Sequence, residues 1–252
     1  DQASAKLMRS TALEAWRDGR LARPMFAPDG LGEALVSPAL SALEAAGAPV
    51  TFNRVVKGLV REAGRVAALN FARDGDVALG PNDHVIIAAP PIRLNALYPE
   101  ARAPEDASSI LNAHFVVENP GLVDNAPPIV GLVGGVAQWI FPRGDIVSVT
   151  VSAAEAVEGA ERPHDEITPL IWDEIKIALE LPDDSRYAAA RIIREKRATF
   201  VQTPENVRRR PKQSTLLKNL YLAGDTVDTG LPATIEGAVR SGFRAAELVA
   251  RS

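Results

Sequence analysis

Cysteine is absent from the 252 residues. That excludes disulfides, thiolate nucleophiles, Cys-ligated zinc and Cys-ligated iron–sulfur clusters. Histidine occurs three times, as His84, His114 and His164, with no two close in sequence. A His-rich metal site is therefore not expected. An excess of positive charge is also missing: Lys+Arg is 28 against Asp+Glu 32, a formal net charge of −4. This speaks against a nucleic-acid footprint, which wants a basic surplus. No apolar run reaches the roughly 20 residues of a membrane helix. The longest charge-free stretch, Asn125 to Pro142, is broken by Pro127, Pro128, Gly131, Gly134, Gly135 and Gln138. It predicts strand, turn and strand. The N-terminal DQASAKLMRSTALEAW has no basic segment leading into an apolar core, so it does not read as a secretory signal. It opens without Met inside a helical pattern, which reads as a fragment. A G-x-G-x-x-G phosphate fingerprint is missing too. Gly131, Gly134 and Gly135 fit neither its spacing nor its strand-to-helix context.

What remains is ordinary globular material, 46% hydrophobic and 24% charged, long enough to bury a core. Residues 5–16 place Met8, Ala12 and Ala15/Trp16 at helical spacing. The stretch FAPDGLGEALVSPALSALEAAGAPVTF (26–52) predicts a turn, a short helix, a break, a second helix and a strand. Ser37 would cap the second helix, Pro38 would take its first position and Gly47 would end it. Strands are expected at Val50–Leu59, Arg65–Ala72 and Val77–Ala89, the last ending in a fully apolar VIIAA of the buried parallel type. ILNAHFVVE (110–118) and the alternating DIVSVTVS (145–152) are further strands, and Ile129–Phe141 a hairpin. Residues 164–181 carry the clearest helix, with acids in the first turn and an apolar stripe of Ile167, Leu170, Ile171, Ile175, Ala178 and Leu179. Tyr187–Phe200 is a strand.

The C-terminal block, STLLKNLYLAGDTVDTGLPATIEGAVRSGFRAAELVA (214–250), is the most informative. A short apolar strand, Leu220–Ala223, runs into Gly224-Asp225, then a Thr/Asp/Gly loop, then a helix from near Pro232 to Ala250. A glycine at a strand end lets a ligand approach the backbone. A carboxylate beside it accepts bonds from sugar-like hydroxyls, and a helix N-terminus offers free N–H groups and a positive dipole end. Gly237, Ala238, Ser241, Gly242, Ala245 and Ala246 allow close helix–sheet packing. These features describe a cofactor-binding strand–loop–helix, with an ordinary βα unit as the competing reading.

LAGDTVDTGLPATIEGAVRSG resembles the C-terminal FAD-binding motif of the flavin amine oxidase and desaturase superfamily. Within it, the chain is most similar to squalene-associated FAD-dependent desaturases, the hydroxysqualene dehydroxylases of bacterial hopanoid synthesis. GLGEALVSPALSALEAAGAPVTF, ILNAHFVVENP, GGVAQWIF with SVTVSAA, and REKRATFVQTPENVRRRP match in the same order. The resemblance covers most of the chain but not the family's N-terminal G-x-G-x-x-G segment. It implies an α/β (α+β) fold, a partial Rossmann-like FAD-binding domain (1–100 and 201–252) with an inserted mixed-sheet substrate domain (101–200). FAD is the implied cofactor, its retention by this chain limited by the missing fingerprint. By resemblance Gly224 and Asp225 meet the ribityl–phosphate part, Ala233, Thr234 and Ile235 lie near the flavin ring, and Ala238 leaves it room. Thr226 belongs to the same set, at a position where the family commonly carries an aromatic.

The implied reaction is reductive loss of an allylic hydroxyl from a C30 isoprenoid alcohol. A flavin amine oxidase or carotenoid desaturase, and a non-catalytic lipid-binding or assembly fragment, are the alternatives. Three Tyr and three Trp are few for an amine-binding aromatic cage. No general acid is identified. His114 is the weak candidate, against its reading as a satisfied core residue, and Trp139, Ile140 and Phe141 are either tunnel lining or core. Arg208-Arg209-Arg210 reads as a solvated loop, or as a contact for lipid headgroups. The expected partner is the isoprenoid substrate, not nucleic acid. The expected location is cytoplasmic, with peripheral contact at the inner membrane.

Overall fold

A computed structural model describes residues 3–17, 27–73 and 75–252; the start of the predicted turn at Phe26 lies outside them. The elements in chain order are α1 (Ala5–Arg17), a π-helical segment (Gly32–Val36), α2 (Ser37–Ala45), β1 (Val56–Glu62), β2 (Arg65–Phe71), β3 (Asp76–Ala78), β4 (Val85–Ala88) and α3 (Pro91–Leu97). Then follow β5 (Ala107–Val117), β6 (Val130–Gly131), β7 (Trp139–Arg143), β8 (Ile146–Ser152), α4 (His164–Ala178), β9 (Tyr187–Phe200), α5 (Pro204–Arg209), β10 (Leu220–Ala223) and α6 (Ile235–Ala250). The chain divides into two compact units, Asp1–Asp106 with Phe200–Ser252, and Ala107–Thr199.

In the first unit β4 and β10 pair in parallel, Leu220 beside Val85 and Ala223 beside Ala88. A parallel pair has its two faces set by alternation. Leu220, Leu222 and Ile87 enter a core with Val66, Leu94, Leu97 and Val227. Tyr221 and Ala223 point the other way and pack on Ala245, Leu248 and Val249 of α6. Strands β1, β2 and β3 form a separate antiparallel sheet. The wholly buried Asn219 joins the two sheets. Its amide oxygen accepts from Val66 N at 2.8 Å, and its amide nitrogen donates to Val66 O at 3.0 Å and Asp83 O at 3.1 Å. A buried carboxamide satisfied on both ends specifies this junction.

Four expectations change here. The π segment runs directly into α2, so there is no break at Ser37, and Ser37 makes no side-chain cap. β1 begins at Val56 rather than Val50, because Asn53 takes a left-handed φ of 60° that no strand sustains. β4 is buried on one face only; Ile86, aligned with Tyr221, is 44% exposed. In α1 the buried residue is Leu7, while Met8 and Trp16 are exposed.

The second unit is a five-stranded sheet of order β6-β7-β8-β5-β9 with α4 on one face. β5 alternates: Leu111, Ala113, Phe115 and Val117 face the core, joined by Val147, Val149 and Val151 of β8. The stripe predicted for α4 supplies Ile167, Ile171 and Ile175, with Trp172 stacked near Phe115 and Tyr187. Glu174 pins the hairpin to α4: its carboxylate accepts from Val136 N at 2.9 Å and Ala137 N at 2.6 Å. A Cβ at Gly135 would stand 2.7 Å from Glu174 Oε1, so any larger residue there displaces this carboxylate. Ile140 is fully buried in this core, so it lines no tunnel; Trp139 is 46% exposed.

Candidate functional site

The strand–loop–helix of the C-terminal block is built around three side chains. At the end of β10, Gly224 turns the chain with a φ of 103°, a conformation that favours glycine. Its N–H donates to Ser241 Oγ at 2.8 Å. The same hydroxyl lies 3.0 Å from Gly224 O and 2.6 Å from Ala238 O. Ser241 is wholly buried; its oxygen satisfies the N–H of the turning glycine, and its one proton lies between the carbonyls of Gly224 and Ala238. Gly237, Ser241 and Ala245 form the buried side of α6, the close-packing face expected of the small residues. Gly242 contributes nothing to it; a Cβ there would meet open space.

The second side chain is Arg210, 5% exposed. Its Nη2 donates to Asp225 O at 2.9 Å and Val227 O at 2.5 Å, its Nε to Thr226 O at 3.3 Å and its Nη1 to Leu231 O at 2.5 Å. The guanidinium also lies over the Phe200 ring, 5.4 Å from its centroid. Burial pushes the Arg210 pKa down, while the nearby charges of Asp228 and Asp225 favour the cation. The expectation of a solvated Arg208–Arg210 run is thus overturned at its last member. Arg208 and Arg209 end α5 and are exposed. Pro211 bars Arg210 from the helix, and its extended backbone (φ −59°, ψ 129°) turns it out of that series.

The third is Thr234, the N-cap of α6, whose hydroxyl accepts from Gly237 N at 3.2 Å. The N–H groups of Ile235 and Glu236 have no partner inside the helix, by the geometry of any helix start. Thr234, Ile235 and Glu236 are exposed. Glu236 pairs with Arg240 at 2.6 Å on the helix surface. Ala233 is buried and its N–H donates to Gln202 Oε1 at 3.0 Å. Ala238 is half-buried, one turn into the helix.

Gly224, Asp225, Thr226, Ala233, Thr234, Ile235 and Ala238 therefore belong to one strand–loop–helix in the first unit. His114 lies in the second unit, on the face of β5 opposite to Phe115. Its Nδ1 is 2.9 Å from Ser148 Oγ, its cross-strand partner. On the next rung Thr150 Oγ1 donates to Asn112 Oδ1 at 2.8 Å. Burial, followed by the charges of Arg143 and Arg191, pushes the His114 pKa down. His114 is not in the apolar core. Among the described residues no group of His, Asp and Glu side chains could hold a metal ion. No helix among them is long and apolar enough to cross a membrane.

A glycine-turned parallel strand, a clamped acidic loop and a small-residue helix are the parts of an α/β flavoprotein unit. The chain belongs to the flavin containing amine oxidoreductase family, whose model matches residues 3–250. It is 42% identical over 236 residues to a hydroxysqualene dehydroxylase of Rhodopseudomonas palustris, covering 92% of this chain and 54% of that protein. It is 40% identical over 246 residues to a protein of the same name from Sinorhizobium fredii, covering 96% and 55%. The chain thus spans about half the length of the curated relatives it matches. A solved putrescine oxidase with putrescine bound shares the fold, with a TM-score of 0.63 and 18% identity over 86% of this chain and 53% of that one. An iminodiacetate oxidase from Chelativorans sp. BNC1 does so with a TM-score of 0.55 and 14% identity, covering 87% and 55%.

The residues present fit a flavin. Thr226 is 1% exposed and its Oγ1 is buried without a hydrogen-bond partner. An orphaned buried hydroxyl is uncommon and calls for a group to satisfy it. It sits directly after Asp225, whose bond to Arg210 runs through the main-chain carbonyl and leaves the carboxylate to other partners.

Proposed function

We propose that this chain forms part of an FAD-dependent oxidoreductase acting on a squalene-type isoprenoid, by reductive dehydroxylation of hydroxysqualene to squalene in hopanoid synthesis. The observation that carries this reading is 38–42% identity, over 92–97% of the chain, to three proteins named hydroxysqualene dehydroxylase. Gly224, Asp225 and Thr226 would hold the ribityl–phosphate part of FAD, with Ala233, Thr234, Ile235 and Ala238 beside the flavin ring. Held there and first reduced by an external donor, the flavin would supply the hydride that replaces the allylic hydroxyl, which would leave with a proton as water.

The chain's own residues supply orientation and polarity. The Asp225 carboxylate would accept hydroxyl hydrogens of the cofactor, and the first amides of α6 would offer donors to an electron-rich group. Burial, followed by the charges of Arg143 and Arg191, holds the His114 pKa down, which favours the neutral ring. With Ser148 engaging one ring nitrogen, the other is free to hydrogen-bond a substrate hydroxyl. The polyene is the partner, met by a protein at the cytoplasmic face of the inner membrane.

The test is anaerobic incubation of the FAD-loaded protein with hydroxysqualene and a flavin reductant, with squalene read by gas chromatography–mass spectrometry. Squalene formation is expected. A flavin-loaded protein that makes none, and instead oxidises amines or dehydrogenates carotenoid precursors, refutes the substrate assignment. A protein that takes up no flavin refutes the cofactor assignment.

A further inference from the structure

The loop between β10 and α6 has an unusual organisation. The carbonyls of Asp225, Thr226, Val227 and Leu231 all converge on one buried guanidinium. A planar fork with five donors can hold several oxygens at fixed angles; a lysine ammonium, with three donors at one point, cannot. Each of the other ties holds a single main-chain N–H. Gly230 N donates to Asp228 Oδ1 at 3.0 Å, Leu231 N to Thr229 Oγ1 at 3.3 Å and Asp228 N to Pro211 O at 2.8 Å.

We propose that Arg210 is the positioning residue of the flavin site: by gripping the loop's carbonyls it sets where the Asp225 carboxylate and Thr226 hydroxyl stand. This rests on the flavin assignment of the preceding subsection. Arg210 uses main-chain oxygens only, so it organises the loop without consuming the side chains that meet the cofactor. The Phe200 ring packs against the guanidinium, its centroid 5.4 Å from Cζ. The charges of Asp228 and Asp225 favour the cation against its burial.

The experiment is a double-mutant cycle on FAD binding by the flavin-free protein. Wild type, R210K, D225N and R210K/D225N are titrated with FAD, bound flavin being read from its visible spectrum and the fold from far-ultraviolet circular dichroism. R210K and D225N are each expected to weaken FAD binding at least tenfold. The double variant is expected to be no weaker than the worse single, because both remove one arrangement. In R210K the vibronic shape of the bound flavin band shifts, which a loss of general stability would not cause. F200L loosens the same grip without removing the guanidinium, and covers the case in which R210K does not fold; it is expected to weaken FAD binding severalfold. R208Q, at an exposed neighbour, is expected to bind FAD as wild type does. Additive losses in the cycle, or wild-type FAD affinity in folded R210K or F200L, overturn the proposal. If wild type itself takes up no flavin, the failure belongs to the flavin assignment instead.

Discussion

Two glycines on α6 give opposite predictions for the same substitution. Replacing either by alanine relieves the backbone entropy of glycine in a helix, a gain of about 0.8–1.0 kcal/mol. At Gly242 nothing lies within 4 Å of the added methyl group, so G242A keeps that gain. At Gly237 the methyl would stand 2.9 Å from Pro232 O, with Thr229 Oγ1 at 3.5 Å and Thr234 Oγ1 at 3.6 Å. The nearest obstacle is main chain, which cannot rotate away. Overpacking of this kind costs about 1–3 kcal/mol, so G237A nets a loss of about 0–2 kcal/mol after the helical gain. Urea denaturation of the two variants beside wild type measures the difference directly. Thermal melting should show G242A about 2–4 °C above wild type and G237A level with it or lower. Equal stabilisation by both would refute the claim that the loop before α6 is packed against the helix's first turn.

Other changes test the surrounding framework. S241A removes the hydroxyl that serves Gly224 and leaves its N–H unpaired; a loss of about 1–3 kcal/mol in denaturant unfolding is expected, and a change under about 0.5 kcal/mol would contradict the assigned bridge. Burial raises the Glu155 carboxyl pKa, but bonds from Ser109 and Ser108 outweigh it and hold the group at about 2. A depressed carboxylate stabilises the fold above its ordinary value near 4.5 and loses that contribution as pH falls toward about 2. The stability gap between wild type and E155Q should therefore be open at pH 6 and close progressively below pH 4.5; a gap independent of pH would contradict it. For His114, NMR titration of the ring should find a midpoint below the ordinary value of 6.5, moving upward in R191Q; a midpoint at or above 6.5 would count against the buried environment described.

Much of this architecture is visible in residue order because local pattern and burial agree. ILNAHFVVE reads as a strand, and the structure buries its odd-numbered Leu111, Ala113, Phe115 and Val117 while Asn112 and His114 take the other side. The α4 stripe, the hairpin around Gly131–Gly135 and the Gly47 stop follow the same logic of period and turn chemistry. The departures occur where the deciding partner is distant. Ser37-Pro38 looks like a break, yet the preceding π turn bonds Ser37 N to Gly32 O; Pro38, which has no N–H to give, then continues the helix. Met8 and Trp16 share a helical face, but only Leu7 finds a cluster, with Phe200, Val207 and Ala233 from the far end of the chain. Arg210 resembles its two neighbours in composition. Only Pro211, which forbids it a helical backbone, separates it from them, and nothing local announces the four carbonyls waiting from residues 225–231.

The second unit departs after Asp106 and the chain returns at Phe200, where Val201 N donates to Asp106 O at 2.7 Å and Asn206 joins the same aspartate. Exit and re-entry are therefore stapled side by side, and everything threaded between them is a closed excursion. Closure cost grows only with the logarithm of loop length. Lengthening the excursion therefore adds little to the cost of closing it. A gene that kept the staple could thus vary the insert while retaining the frame that carries β10 and α6.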